Sequence, residues 1–184
     1  LEIAQKRYID GVASYPRTSS QKLPKDLNLK KILEKLKSQP SLKDKVELVY
    51  KVNSQIKPNE GKKTDPAHPS IHPTGETPSK LESREQKIYD LICKRFFAVF
   101  GKAAVRENNK ITIDVEGYNF LIKGTRTVEK NWHELYEPYV RFEEIELPKL
   151  EKETTVENKG IESIEKETQP PKRYTDASII KELE

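Results

Sequence analysis

The spacing of apolar residues changes from a helical to a strand period near Gly101, and this change constrains the fold more than any other feature. Before this glycine, apolar residues recur every three or four positions, as in amphipathic helices. After it, residues 111–115 read ITIDV and alternate with period two, and residues 118–122 repeat the alternation beyond Gly117. The predicted fold class is therefore α+β, a helical domain followed by part of a β-rich domain.

The helical part is predicted to contain short helices joined by polar turns. The first covers residues 1–9 and ends at Gly11, because glycine readily adopts the backbone that terminates helices. Pro24 is expected to open the second helix, and Ser41 with Asp44 resembles the capping box of a third. The apolar residues expected on these two helices are Leu29, Ile32, Leu33, Leu36, Leu42, Val46, Val49 and Val52. Because each helix is too short to be stable alone, the helices must pack together.

A longer fourth helix is predicted from a capping signal at Ser79 and Glu82 to about Phe100. The residues expected on its buried face are Ile88, Leu91, Ile92, Phe96, Val99 and the stem of Arg95. Further strands are expected at residues 139–147, near Val156 and at residues 161–164. These elements predict a helical domain over residues 1–102, a partial β-rich domain over 103–168 and a further helical segment over 169–184.

The composition indicates the setting of the protein. No apolar run reaches the roughly 20 residues that a membrane helix needs, so no membrane association is expected. The single cysteine, Cys93, cannot form an internal disulfide, which favours a reducing, cytoplasmic location. The chain contains no methionine and begins and ends in helical patterns, so we expect an internal fragment of a larger protein. Abundant Lys and Glu with little Cys or Met is typical of hyperthermophile proteins.

Positive charge is concentrated in the first third of the chain. Residues 1–63 contain 15 Lys or Arg against 7 Asp or Glu, although the whole chain carries a net charge of only +4. Such a basic region can attract a polyanion such as nucleic acid. The alternative, that these lysines are only the solvated faces of amphipathic helices, stays open on charge alone.

Residues 11–20 read GVASYPRTSS and place an arginine two positions after a tyrosine. A phenol is a weak nucleophile, with a reference pKa of about 10, so its attack on a phosphate needs a nearby cation. Arg17 offers a planar guanidinium that can contact two phosphate oxygens. A Tyr-Pro-Arg triplet alone is more often structural, but the whole phrase resembles the active-site tyrosine motif of type IA DNA topoisomerases. The match is best to their archaeal and topoisomerase III-like members.

Residues 65–76 read DPAHPSIHPTGE and resemble the family segment Ala-His-x-Ala-Ile-x-Pro-Thr, with Ser70 in place of an alanine. By this resemblance His68 is the histidine associated with the scissile phosphate. His72 stands where many relatives have arginine, and we expect it to contact DNA. The alternative is a metal-binding pair at His-x-x-x-His spacing, although the flanking prolines disfavour a helix and no cysteines complete a zinc site.

Residues 169–184 read QPPKRYTDASIIKELE and resemble the family segment that leads into a DNA-contacting helix. Lys172 stands where a third proline is common. By the resemblance Arg173 and Lys181 contact phosphates, and the alternative that they are ordinary helix-end charges stays open.

The three segments occur in family order, and the resemblance implies an isomerase that changes DNA topology without ATP. Tyr15 would attack single-stranded DNA and form a 5′-phosphotyrosyl link, with Arg17 neutralising the phosphate and His68 assisting. Thr18 would also contact DNA. The β-rich part would belong to the family's arch domain. An origin in an ordinary archaeal topoisomerase or in a reverse gyrase is left open.

The acidic Mg²⁺-binding cluster of the family has no match in this sequence. The resemblance implies that Mg²⁺ is bound by the toprim domain of the parent enzyme, so the predicted partners are single-stranded DNA and the remaining domains. The predicted location is cytoplasmic and nucleoid-associated. The alternative function, from a different class, is a non-catalytic basic helical module that binds DNA or protein.

Overall fold

A computed structural model describes residues 1–65 and 67–183 of the chain. Pro66 and Glu184, which belong to two of the motifs above, lie outside the described residues. The helices are α1 (Glu2–Ile9), α2 (Leu29–Lys37), α3 (Lys43–Val52), α4 (Ser83–Ala98), α5 (Trp132–Tyr136) and α6 (Asp176–Leu183), and the strands are β1 (Val105–Val115) and β2 (Tyr118–Glu129). The predicted α+β class is confirmed.

The first helix ends as predicted, but the starts of α2 and α3 differ from the sequence predictions. Gly11 follows α1 with φ of +72°, a left-handed conformation that glycine adopts easily. Helix α2 begins after Asn28, whose side chain accepts a hydrogen bond from the Lys31 backbone N–H at 3.0 Å, so the prediction that Pro24 opens it is wrong. Helix α3 begins after Leu42 without a side-chain cap, so the predicted capping box at Ser41 does not form.

Helix α4 also begins later and buries a different face than predicted. Its capping box is formed by Glu82 and Glu85 rather than by Ser79 and Glu82. Its buried residues are Glu85, Tyr89, Cys93, Phe96, Phe97 and Ala98. The predicted residues Ile88, Leu91 and Ile92 are only half-buried, and Arg95 is exposed. The buried face is rotated from the predicted one and shares Phe96 with it, and Tyr89 and Phe97 are among its core residues.

The core packs the inner faces of α2, α3 and α4 together. Its fully buried apolar residues include Leu33, Leu36, Val46, Val49 and Phe97, as the helical spacing of the first two faces predicts. Leu135 of α5 is also buried against this core. Gly101 permits that approach, because a Cβ atom there would lie 2.6 Å from the Cα atom of Trp132. Helices α2, α3, α4 and α5 therefore form one support for the loops between α1 and α4.

The predicted hairpin is confirmed, but most of the other predicted strands are wrong. Strands β1 and β2 are antiparallel, with Ile113 opposite Phe120, and a turn at Glu116 and Gly117 joins them. Of residues 139–147, only Ile145 forms an isolated bridge, to Thr125. No strand occurs among residues 148–183. Alternating apolar residues in a highly charged segment were therefore not enough to form a sheet there.

The chain divides into two units, the first covering Leu1–Leu147 and the second beginning at Pro148. Within the second unit, the predicted terminal helix is present as α6. The predicted boundaries at residues 102 and 168 stay predictions. No helix among residues 1–65 and 67–183 combines the length and the apolar character needed to cross a membrane.

Candidate active site

Two loop segments that are far apart in sequence lie side by side in the first unit. We call residues 11–20 the tyrosine segment and residues 67–76 the histidine segment. Ala13 and Pro73 form an antiparallel bridge between them. The Ser14 N–H donates to the His72 carbonyl oxygen at 2.8 Å, and the His72 N–H donates to the Ser14 Oγ atom at 2.9 Å. Two of the sequence motifs therefore meet at one place.

The C-terminal turn of α1 fixes where the tyrosine segment begins. The backbone N–H groups of Val12 and Ala13 donate to the Arg7 carbonyl oxygen at 3.0 and 3.2 Å. The Arg7 side chain is only 2% exposed and forms ion pairs with Asp10 at 2.8 Å and with Glu85 of α4 at 3.2 Å. These contacts attach the start of the tyrosine segment to both α1 and α4.

The Tyr15 ring is half-buried and has aromatic rings on two sides. The centroid of the His68 ring lies 4.4 Å away at an interplanar angle of 41°. The Tyr8 ring, from α1, approaches edge-on with its centroid 5.3 Å away and an angle of 77°. Edge-to-face and tilted pairs at these distances are favourable aromatic contacts. The structure thus brings the predicted pair Tyr15 and His68 together and adds Tyr8, which the sequence analysis did not identify.

Thr18 joins the two segments beside His68. Its hydroxyl donates to the His68 carbonyl oxygen at 3.0 Å and accepts from the Ser20 N–H at 3.0 Å. The Asp65 carboxylate accepts from the backbone N–H groups of Ala67 at 2.9 Å and His68 at 3.2 Å. These hydrogen bonds lower the pKa of Asp65, and the bond from Ala67 has the largest effect. The histidine is therefore positioned through its backbone.

Arg17 is exposed and forms no ion pair with any residue that the structure describes. A guanidinium in this state retains its hydrogen-bond donors for an external anion. Because the tyrosine segment places it two residues after Tyr15, a phosphate near the phenol could also be reached by this cation. The predicted role of Arg17, to neutralise a phosphate beside Tyr15, stays a prediction.

His72 is 6% exposed, in contrast to the half-buried His68. Its Nδ1 atom lies 2.8 Å from the Ser70 carbonyl oxygen, and burial lowers the pKa of His72. Within residues 1–65 and 67–183, no three His, Cys, Asp or Glu side chains are placed to hold a metal ion. The described residues therefore offer no ligand set for Mg²⁺, which the resemblance assigns to the toprim domain, and the two histidines gain no third ligand among them.

The two remaining predicted DNA contacts lie in the second unit. Arg173 precedes α6, and Lys181 lies in the last turn of that helix. Both side chains are exposed. The residues that the sequence analysis missed are Tyr8 and Ser14, and no local pattern could have revealed them, because their contacts depend on the turn at Gly11 and on the histidine segment.

The fold and the site together define a class of protein. A tyrosine between two aromatic rings, two residues before an exposed arginine, is an arrangement that phosphoryl transfer could use. A family model described as DNA topoisomerase matches residues 1–184, so the chain belongs to the DNA topoisomerase family. The resemblance to type IA DNA topoisomerases is confirmed by relatives that match the whole chain.

Similar proteins occur in archaea and animals. The chain is 50% identical over 184 residues to DNA topoisomerase 1 of Methanocaldococcus jannaschii, covering 100% of this chain and 24% of that protein. It is 42% identical over 186 residues to DNA topoisomerase 1 of Pyrococcus horikoshii, covering 100% of this chain and 27% of that protein. It is 32% identical over 184 residues to human DNA topoisomerase 3-alpha, covering 100% of this chain and 18% of that protein. The chain therefore spans about a quarter of the archaeal relatives' length.

Proposed function

We propose that this chain supplies the nucleophilic tyrosine of a type IA DNA topoisomerase, which cleaves and rejoins single-stranded DNA. The observation that carries the proposal is the contact between the Tyr15 and His68 rings, 4.4 Å apart, in two segments joined by backbone hydrogen bonds. The tyrosine segment contributes Tyr15 and Arg17, and the histidine segment contributes His68, all with expected roles in catalysis. Family membership supports the DNA topoisomerase activity of the whole enzyme.

The proposed reaction is a transesterification. The Tyr15 phenol loses its proton, and its oxygen attacks a phosphorus atom of the DNA backbone. The bond from phosphorus to the 3′ oxygen breaks, and that oxygen takes up a proton to become a 3′ hydroxyl. The 5′ side of the break stays attached to the enzyme as a phosphotyrosyl diester. Attack by the 3′ hydroxyl reverses the step, and because one diester replaces another, no ATP is needed.

The neighbouring residues have separate proposed roles. Arg17 neutralises the phosphate, since the charge on the transferring group increases in the transition state. His68 assists as a hydrogen-bond partner of a phosphate oxygen or as a carrier of the proton. Thr18 and His72 contact the DNA strand beside Tyr15. Arg173 and Lys181 add phosphate contacts from the second unit.

Mg²⁺ and its ligands are assigned to other domains of the enzyme, since the described residues offer no suitable site. We assign no step of the reaction to the metal. The proposed partners of this chain are therefore single-stranded DNA and the toprim portion of the enzyme.

The test is covalent attachment to DNA. The complete enzyme containing this chain is incubated with Mg²⁺ and a labelled single-stranded oligonucleotide, then denatured and separated by electrophoresis. The wild type should give a shifted band, and Tyr15→Phe should abolish it while retaining DNA binding. Tyr118→Phe is the matched control, because Tyr118 is 76% exposed at the hairpin turn and the chemical change is the same.

An adduct that persists in Tyr15→Phe would refute the assignment. If oligonucleotide binding occurs without any adduct in the wild type, the alternative function, a non-catalytic DNA-binding module, would be favoured instead.

A further inference from the structure

Asp65 lies just before the histidine segment, and its carboxylate contacts both loop segments of the candidate site. The Oδ1 atom accepts from the backbone N–H groups of Ala67 at 2.9 Å and His68 at 3.2 Å. The Oδ2 atom lies 3.5 Å from the Thr18 hydroxyl oxygen, in the tyrosine segment. The bond from Ala67 lowers the pKa of Asp65 most, and the N–H of Ser19 adds to this effect. One carboxylate therefore joins the two segments beside His68.

The backbone of His68 is held on both sides. Its N–H group donates to Asp65, and its carbonyl oxygen accepts from the Thr18 hydroxyl at 3.0 Å. Among residues 1–65 and 67–183, no hydrogen bond reaches the His68 ring, whose neighbour is the Tyr15 ring at 4.4 Å. The place of the ring beside Tyr15 therefore follows from the backbone, and both ring nitrogens stay available for the reaction.

The Asp65 carboxylate has two effects of opposite sign. Asp65 is half-buried and forms no ion pair with a lysine or arginine in the part of the chain that the structure describes. Its negative charge opposes the approach of a phosphate, because like charges repel. Its Oδ1 atom, in contrast, fixes the loop that carries His68. A test that separates the charge from the acceptor atom therefore shows which of the two the reaction needs.

We propose that Asp65 is a positioning residue for the covalent step and acts through the backbone of His68. The inference rests on the proposed function, since it concerns how His68 is held against Tyr15. The acceptor at Oδ1 is the part that the reaction needs, and the charge is not. Small displacements of an assisting group slow a reaction steeply, because the reacting atoms must start in a narrow range of geometries.

The test compares Asp65→Asn with Asp65→Glu in the complete enzyme that contains this chain. Asparagine loses the charge but keeps an oxygen that can bond the backbone N–H two residues later. Glutamate keeps the charge, but its extra methylene group moves the oxygens away from that position. Asp26→Asn, in the exposed turn before α2, is the matched control for loss of one negative charge.

The rate of adduct formation is measured in single turnovers with Mg²⁺ and a saturating single-stranded oligonucleotide, and DNA affinity is measured separately by anisotropy. Asp65→Glu should slow adduct formation about 10- to 100-fold, since general acid–base assistance contributes at least about 100-fold and the His68 ring is still present. Asp65→Asn and Asp26→Asn should keep the wild-type rate. The DNA affinity of Asp65→Glu should equal that of the wild type.

The outcomes separate this inference from the proposed function. A wild-type rate in Asp65→Glu, or slowing in Asp65→Asn, would overturn the positioning role, because the charge and not the acceptor would then matter. Slowing with an equal loss of DNA affinity would indicate general damage to the loop and would overturn it too. In each of these cases the wild type still forms its adduct, whereas a wild type without an adduct would contradict the proposed function itself.

Discussion

Removing the Tyr8 ring should slow the covalent step without weakening DNA binding. The Tyr8 ring meets the Tyr15 ring edge-on with centroids 5.3 Å apart, and His68 covers another side at 4.4 Å. In Tyr8→Ala the second ring is absent, so Tyr15 can adopt more side-chain orientations. Only the orientations that direct the phenol towards the phosphate are productive.

The size of the effect follows from the geometry. An aromatic pair contributes about 0.5–1.5 kcal/mol beyond the area that it buries. Tyr8 is 45% exposed, so solvent competes for the contact, and we expect about 0.5–1 kcal/mol, the lower part of that range. Since about 1.4 kcal/mol corresponds to a tenfold change in rate, adduct formation should slow about two- to fivefold.

The assay is single-turnover adduct formation on a saturating single-stranded oligonucleotide, using the complete enzyme that contains this chain. Tyr8→Phe retains the ring and should keep the wild-type rate, and the affinity for DNA should be the same in all three proteins. A wild-type rate in Tyr8→Ala would show that His68 and the backbone hold the phenol without Tyr8. Equal slowing in Tyr8→Phe would assign the effect to the hydroxyl group and refute the ring contact.

Two further predictions concern stability. Gly101→Ala should lower the free energy of unfolding by about 1–3 kcal/mol, because the new Cβ atom would lie 2.6 Å from the Cα atom of Trp132. The free energy of unfolding is measured in urea. Gly160→Ala is the control, because a Cβ atom there meets no atom within 4 Å. Equal free energies of unfolding for the two variants would show that α5 moves aside. Burial lowers the pKa of His72 below 6.5, so the unfolded chain binds the proton more readily and stability should fall as pH decreases through 6.5. His72→Gln should reduce the difference in melting temperature between about pH 7.5 and about pH 5.5, and an unchanged difference would contradict this origin.

The helices and the hairpin could be predicted because their apolar periods reflect burial directly. Leu33 and Leu36 on α2 and Val46 and Val49 on α3 are core residues, as their spacing requires. The first residue of each helix was harder to predict, because several residues of one loop can each cap a helix. Asn28 rather than Pro24 begins α2, because its side chain reaches the Lys31 N–H. Strand patterns beyond residue 147 failed because period two alone does not provide a partner strand.

The segments that carry the candidate site could be predicted from the sequence, but the contacts between them could not. The resemblance identified the segments around Tyr15 and His68, but not that their backbones pair through Ser14 and His72. Nor did it indicate the ring of Tyr8, because that contact depends on the turn after α1. Contacts between residues distant in sequence follow from packing, and a local pattern contains no information on them.

Rejoining the strand requires a more tightly fixed position of Tyr15 than cleaving it does. In the proposed cycle the phosphotyrosyl bond must persist while another strand passes, and the same phosphorus must then meet the same 3′ oxygen. The position of Tyr15 must therefore be set by the protein. The buried Arg7 attaches α1 to Glu85 of α4, and its carbonyl oxygen holds the start of the tyrosine segment. These bonds do not involve DNA, so they can keep the linked strand end in place throughout the open state.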